Sequence, residues 1–341
     1  MSNKTYLASL NESLHAMMEA DERVILIGED ILDPYGGAFK VSKGLSSRFP
    51  SQVLTTPISE SAIVGLGTGL AMRGFLPIVE IMFGDFITLA VDQLVNHAAK
   101  FRWMYNEKVR VPLVVRTPMG AYRSYGPTHS QSMEKHFLGV PGLWVISPNL
   151  FTEPGELLKQ AVTRLQEPVL FVEHKYAYAQ PLLDVPDGMV LEELAGEKGF
   201  FPASVLRHRN PDPAMRGLLL CYGGLSKMCL EAVLLLRDSE GISMDLAVIT
   251  QLSPTPVVQL QTLFDQYKDT LLVYVEEASV AAGWGSEMMA SMQDFALNTR
   301  NCQLRQLRIG SEYSVIPSSK QLEGRILPNV QKIINQIVAC F

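Results

Sequence analysis

Cysteine is scarce in this chain of 341 residues, and the four that occur have no metal-ligand spacing. Cys221, Cys229, Cys302 and Cys340 all fall in the C-terminal half, which argues against a disulfide framework or a zinc site. They read as reduced, mostly buried thiols. Charge is also thin, at 19% of residues against 47% hydrophobic. A net charge of −6 without any lysine- or arginine-rich block argues against nucleic acid as a partner. The nearest approach to such a block, Arg207-His208-Arg209, reads as a solvated loop. No apolar run nears the roughly 18 residues of a membrane span. The start, Met1-Ser2-Asn3-Lys4-Thr5-Tyr6, has no signal core and no arginine-rich transit pattern. The expectation is a cytoplasmic protein with no membrane partner. A Walker-type Gly-Lys-Ser/Thr loop and a Gly-x-Ser-x-Gly nucleophile elbow are both missing, which speaks against P-loop phosphate chemistry and serine hydrolysis.

Helical and strand patterns alternate along the first half, the signature of an α/β fold with a parallel sheet. Helical periodicity covers 5–20, 86–104 and 152–166, and short apolar strands are expected at 24–28, 76–81, 111–116, 143–147 and 169–172. From about 178 to 215 the pattern lapses into proline, glycine and mixed charge, which reads as a linker. A second alternation follows, with strands at 217–221, 243–249, 271–275 and 303–308 and helices at 225–237, 284–297 and 328–338. Two α/β domains result, 1–180 and 216–341, joined by a linker over 181–215. The apolar surplus points to a large subunit interface.

The richest segment is Thr56-Pro57-Ile58-Ser59-Glu60, a strand end that leads into Gly65-Leu66-Gly67-Thr68-Gly69-Leu70. Glu60 is either a helix N-terminal charge or a proton-handling carboxylate in a dry pocket, and the pocket is favoured. The three glycines have the wrong spacing for a dinucleotide fingerprint, and the acid precedes them. Glycines four apart on one helix face instead let another helix approach closely across an interface. Phe86, where a strand turns into a helix, taken alone reads as core. His129 sits in the polar loop Gly126-Pro127-Thr128-His129-Ser130-Gln131 after an apolar strand, the kind of place where α/β proteins put chemistry. A catalytic role and a bland loop role both stand open for it. The histidines at 15, 97, 136, 174 and 208 read as surface or packing residues.

Taken in order, these segments resemble the β subunit of the thiamine-diphosphate-dependent decarboxylating component of 2-oxo-acid dehydrogenase complexes, of the pyruvate, branched-chain or acetoin type. The pieces are Gly28-Glu29-Asp30, Thr56 to Glu60, Phe83-Gly84-Asp85-Phe86, Asp92-Gln93 with Ala98-Ala99-Lys100, His129-Ser130-Gln131-Ser132 and Pro141-Gly142-Leu143. Tyr222-Gly223, Val275-Glu276-Glu277 and Leu322-Glu323 continue the likeness into the second domain. The resemblance implies a transketolase-like pyrimidine-binding domain followed by a transketolase C-terminal-like domain. It implies that Glu60 hydrogen-bonds the cofactor's aminopyrimidine ring, that Phe86 stacks on that ring, and that His129 is the active-site histidine beside the thiazolium. A carboxylic acid sharing its proton with a pyrimidine nitrogen favours the ring's imino tautomer, and a low-dielectric site strengthens that hydrogen bond.

Diphosphate binding in this fold group takes a divalent metal and a Gly-Asp-Gly motif, and no Gly-Asp-Gly occurs here. The resemblance therefore implies that an α subunit holds most of the Mg2+ shell, with the cofactor bridging the chains of an α2β2 heterotetramer. No metal ligand is expected in this chain, and Arg164 and Leu165 stand where some members place the acid of a structural potassium site. The implied activity is oxidative decarboxylation of a 2-oxo acid with acyl transfer to a lipoyl acyltransferase or an acyl carrier protein. Alternatives are a transketolase-like or acyl-transferring synthase and a non-catalytic stabilising subunit. Phe201-Pro202-Ala203-Ser204 and Ile249 to Pro256 depart from the usual pattern, away from the cofactor.

Overall fold

A computed structural model describes residues 4–299 and 305–341, so Cys302 lies outside the described residues. Six strands of the first half are β1 (Val24–Gly28), β2 (Val53–Thr55), β3 (Leu76–Glu80), β4 (Val114–Met119), β5 (Trp144–Ile146) and β6 (Val169–His174). Seven follow: β7 (Met189–Leu194), β8 (Ala203–His208), β9 (Arg216–Tyr222), β10 (Ser243–Ile249), β11 (Gln251–Ser253), β12 (Leu271–Ser279) and β13 (Arg305–Ser311). The helices that cover them include α1 (Tyr6–Ala20), α2 (Leu45–Arg48), α3 (Glu60–Met72), α4 (Ala99–Met104) and α5 (Pro154–Arg164). In the second half these are α6 (Ser226–Glu240), α7 (Val257–Phe264), α8 (Trp284–Thr299), α9 (Lys320–Ile326) and α10 (Val330–Val338). Among the described residues no helix is long and apolar enough to cross a membrane.

The first sheet runs β11-β5-β6-β4-β3-β1-β2, parallel except for β11, which pairs antiparallel with β5. The wholly buried runs Val24–Gly28 and Val114–Met119 are what a parallel strand covered on both faces requires. From β1 the chain moves outward to β2, then returns to pair β3 on the other side of β1. The carboxyl ends of β1 and β3 therefore form a topological switch point, where open α/β sheets bind ligands. The second sheet runs β13-β12-β9-β10-β8-β7, with β8 and β7 added antiparallel.

The halves share a core. One apolar cluster extends from Val79, Val115 and Leu170 of the first sheet to Leu220, Leu252 and Trp284 of the second half. Through β11 the second half also supplies an edge strand to the first sheet.

Three expectations need correction. The stretch 181–215, expected to be a linker, contains β7 and β8. β7 is an edge strand whose Glu192 and Glu193 face solvent, so its pattern lacks the apolar alternation of a central strand. Arg207-His208-Arg209 is no solvated loop: it ends β8, His208 is buried, and Arg207 donates to the Tyr267 hydroxyl at 2.5 Å. The single helix expected over 86–104 is broken into a 3-10 segment Gly84–Ala90, a π segment Gln93–Ala98 and α4. Such irregular turns collect at functional sites.

Of the three helix glycines, Gly67 packs inward: a Cβ there would come within 2.7 Å of Val79 and 3.0 Å of Leu113. Gly65 and Gly69 face outward, and a Cβ on Gly69 would meet nothing within 4 Å. Cys221 and Cys229 are buried free thiols, and Cys340 is half-buried.

Candidate functional site

The carboxyl ends of four parallel strands supply the site. β1 ends in Gly28 and hands over Glu29, and β2 leads through Pro57 to Glu60, the first residue of α3. β3 leads to Phe83 and the turn Gly84–Ala90, which carries Asp85 and Phe86. β4 runs into the loop that carries His129. α3 packs against the Gly84–Ala90 turn, so the helix that starts at Glu60 lies beside the turn that holds Phe86.

Glu60 is 5% exposed and Glu29 is 4% exposed. A carboxylate in the first helical turn is stabilised by the unpaired N–H groups there. Burial, and then the neighbouring Glu60 charge, push the Glu29 carboxyl above its ordinary range. Glu29 Oε2 is buried without a hydrogen-bond partner. Orphaned polar atoms of this kind are rare inside proteins, and one beside a second buried carboxylate fits a site built for a hydrogen-bonding ligand.

Phe86 and His129 meet directly, their rings edge to face at 5.2 Å and 85°. Phe83 completes an aromatic corner, with its centroid 4.8 Å from His129 and 6.1 Å from Phe86. His129 Nδ1 shares a hydrogen bond of 3.0 Å with Thr128 Oγ1. The structure thus joins Phe86 to His129 in one cluster and sets Glu60 on the adjoining helix.

Sequence reasoning missed the residues that join these parts. Asp85 Oδ1 accepts from the Gln131 N–H at 3.1 Å and from Gln131 Nε2 at 2.9 Å, binding the Phe86 turn to the His129 loop. Its other oxygen lies 3.9 Å from Nζ of the buried Lys175. Burial pulls the Lys175 ammonium down to about 8, against the opposing pull of Asp85. His174, read as a surface or packing residue, accepts the Tyr176 N–H at Nδ1 and pairs with Glu277 through Nε2. Asp85 stands inside a motif that the sequence offered. His174 is the last residue of β6 and Lys175 follows it, so the rule that drew attention to His129 extends to this strand end. Among the described residues no group of three or more His, Cys, Asp or Glu side chains is arranged to hold a metal.

Residues 2–181 match the family model "Transketolase, pyrimidine binding domain". The acetoin:2,6-dichlorophenolindophenol oxidoreductase subunit beta of Cupriavidus necator is 32% identical over 335 residues, 95% of this chain and 94% of that one. The mitochondrial 2-oxoisovalerate dehydrogenase subunit beta 2 of Arabidopsis thaliana is 36% identical over 84% of this chain and 75% of its own. Among solved structures, a split-gene transketolase described as an inactive beta4 tetramer superposes with a TM-score of 0.69, covering 97% of this chain and 96% of that one at 16% identity. At that identity the likeness is one of fold.

Proposed function

We propose, because this chain belongs to the family of transketolase-like beta subunits of 2-oxo-acid dehydrogenases, that it is the beta subunit of a thiamine-diphosphate-dependent enzyme. Together with an α subunit it carries out oxidative decarboxylation of a 2-oxo acid and passes the acyl unit to a lipoyl-type carrier. The observation that carries the proposal is the buried pair Glu60 and Glu29 at the switch point, with the Phe86–His129 cluster on the adjoining turn. When bound, thiamine diphosphate supplies a carbon nucleophile for the oxo group.

The chain's own residues then have distinct tasks. Glu60 holds the pyrimidine ring by a hydrogen bond and shares a proton with its ring nitrogen. Its burial keeps water from competing for that bond. Phe86 offers the apolar face against which the ring stacks, and the 3-10 turn fixes its direction. His129 moves protons at the reacting oxo group, a task for which an imidazole is suited near neutral pH.

The diphosphate and Mg2+ are held mainly by the α subunit in an α2β2 assembly. Support for that partner comes from the outer face of α3, where Gly69 leaves open space and a Cβ on Gly65 would meet only Gln93, at 3.9 Å. Ile58 just before α3 is 74% exposed, Leu66 on α3 47% and Leu89 on the turn packed against α3 60%, in keeping with an apolar surface that a second chain covers. The proposed pyrimidine-binding domain spans 1–180, and the second domain starts with the β7–β8 hairpin instead of after a linker. The thiols at Cys221, Cys229 and Cys340 are in keeping with a reducing compartment, and the cytoplasm is the proposed location.

Calorimetry tests the split site. Thiamine diphosphate with Mg2+ should bind this chain alone weakly and the reconstituted pair tightly, and the pair should turn over a 2-oxo acid. Tight, metal-dependent binding by this chain alone would contradict the proposal.

A further inference from the structure

We infer that Glu277 and Glu323, two carboxylates of the second half, are positioning residues that hold the His129 loop in its working shape. The inference rests on the role proposed above for His129. The loop leaves β4 through a run of left-handed backbone: Gly120 at φ +89°, Tyr122 at +65°, Ser124 at +57° and Gly126 at +80°. Tyrosine and serine adopt that region only where their surroundings enforce it. Backbone alternating in this manner turns successive N–H groups to one side and forms a concave seat for an anion.

Glu323 fills the seat. Its buried carboxylate accepts from Tyr122 N at 3.0 Å, Ser124 N at 3.2 Å and Ser124 Oγ at 3.3 Å. Glu277 ties the loop on both sides of His129, its Oε1 accepting from Ala121 N at 2.7 Å and Ser132 Oγ at 2.9 Å. Its Oε2 accepts from His174 Nε2 at 2.7 Å. Because Nδ1 of His174 takes the Tyr176 N–H at 3.2 Å, Nε2 is the nitrogen that carries the proton. Burial alone would raise the Glu277 carboxyl, but His174, Ser132 and Ala121 outweigh it and keep the group ionised. Even the room is fixed, since a Cβ on Gly120 would come within 2.2 Å of His174 Nε2. Both carboxylates reach His129 only through the loop that bears it.

The test uses the reconstituted α/β pair with Glu277→Gln and, as an independent variant, Glu323→Gln. Glutamine keeps the size, yet whichever way its amide turns, its NH2 group faces a donor. Each variant should lower kcat about ten-fold with little change in KM for the 2-oxo acid, as small displacements of a reacting group do. In a His129→Ala background the same substitution should cost nothing more, because residues acting through one another are non-additive. Amide hydrogen exchange should rise about ten-fold across 121–132 and stay unchanged elsewhere. Wild-type kcat and exchange in both variants would overturn the inference, as would losses that add fully to that of His129→Ala. Should His129→Ala itself keep the wild-type rate, the catalytic assignment falls and exchange alone decides. A rise confined to 121–132 then sustains the clamp, and no rise overturns it.

Discussion

The Glu276 carboxylate rests on the backbone N–H groups that open α8, accepting from Trp284 at 2.8 Å and Gly285 at 3.1 Å. A Cβ on Gly283 would come within 2.2 Å of that carboxylate, so the glycine keeps the seat open. Burial nevertheless dominates and raises the acid from 4.5 to about 7, with Glu134 adding to the rise. A group whose pKa is raised by folding stabilises fully below its unfolded value and loses that contribution as pH climbs to the folded one. The contribution of this group to thermal stability should therefore decline between about pH 4.5 and 7, by an amount of order 3 kcal/mol. Glu276→Gln should flatten that slope. An unchanged slope in calorimetric melts across this range would contradict the assignment.

Gly67 and Gly69 stand on the same helix and should respond oppositely to substitution. Gly67→Ala pushes a methyl towards Val79 and Leu113, at 2.7 and 3.0 Å. Overpacking costs about 1–3 kcal/mol and the gain in helix propensity returns about 1, so urea unfolding should show a net loss of about 1 kcal/mol. A variant as stable as the wild type would show that the β3–α3 contact is looser than this.

Gly69→Leu adds a side chain where nothing lies within 4 Å. The isolated chain should fold at least as well, by about 1 kcal/mol of helix propensity. Association with the α subunit, read by analytical ultracentrifugation, should weaken at least ten-fold. Undiminished assembly would place the α partner elsewhere.

Phe86→Leu preserves much of the apolar volume and removes the aromatic face. Affinity of the assembled pair for thiamine diphosphate should fall about ten-fold, in line with the worth of an aromatic stack, with the melting temperature nearly unchanged. Equal affinity would remove Phe86 from the cofactor site.

Most of the architecture was legible because buried parallel strands and amphipathic helices leave period and composition as their trace. Val24–Gly28, Ser243–Ile249 and α6 lie within a residue or a few of where the pattern put them. β7 was hidden because an edge strand with Glu192 and Glu193 outward carries no apolar stripe. β11 was hidden because three residues are too few for a period, and its partner β5 comes from the other half of the chain. Of the residues proposed for the site, Glu60, Phe86 and His129 could be singled out from motif and position, whereas the side chains that hold them in place could not. Asp85 joining Gln131, Glu277 joining Ser132 and Tyr222 donating to the buried Glu134 at 2.5 Å are all pairings across long stretches of chain. Nothing local in the sequence marks such a pair. The motifs Val275-Glu276-Glu277 and Leu322-Glu323 were visible as a likeness, and their task emerged only once folding brought them against the loop after β4.

The most direct measurement is turnover of a 2-oxo acid by the reconstituted pair carrying Glu60→Gln. Glutamine fills the same space at the start of α3 but cannot share an acidic proton with a ring nitrogen. The expected result is loss of activity by at least a hundred-fold, a scale typical of general acid–base groups, with the assembled pair intact by light scattering. An assembled Glu60→Gln enzyme that turns over at a near wild-type rate would contradict the account.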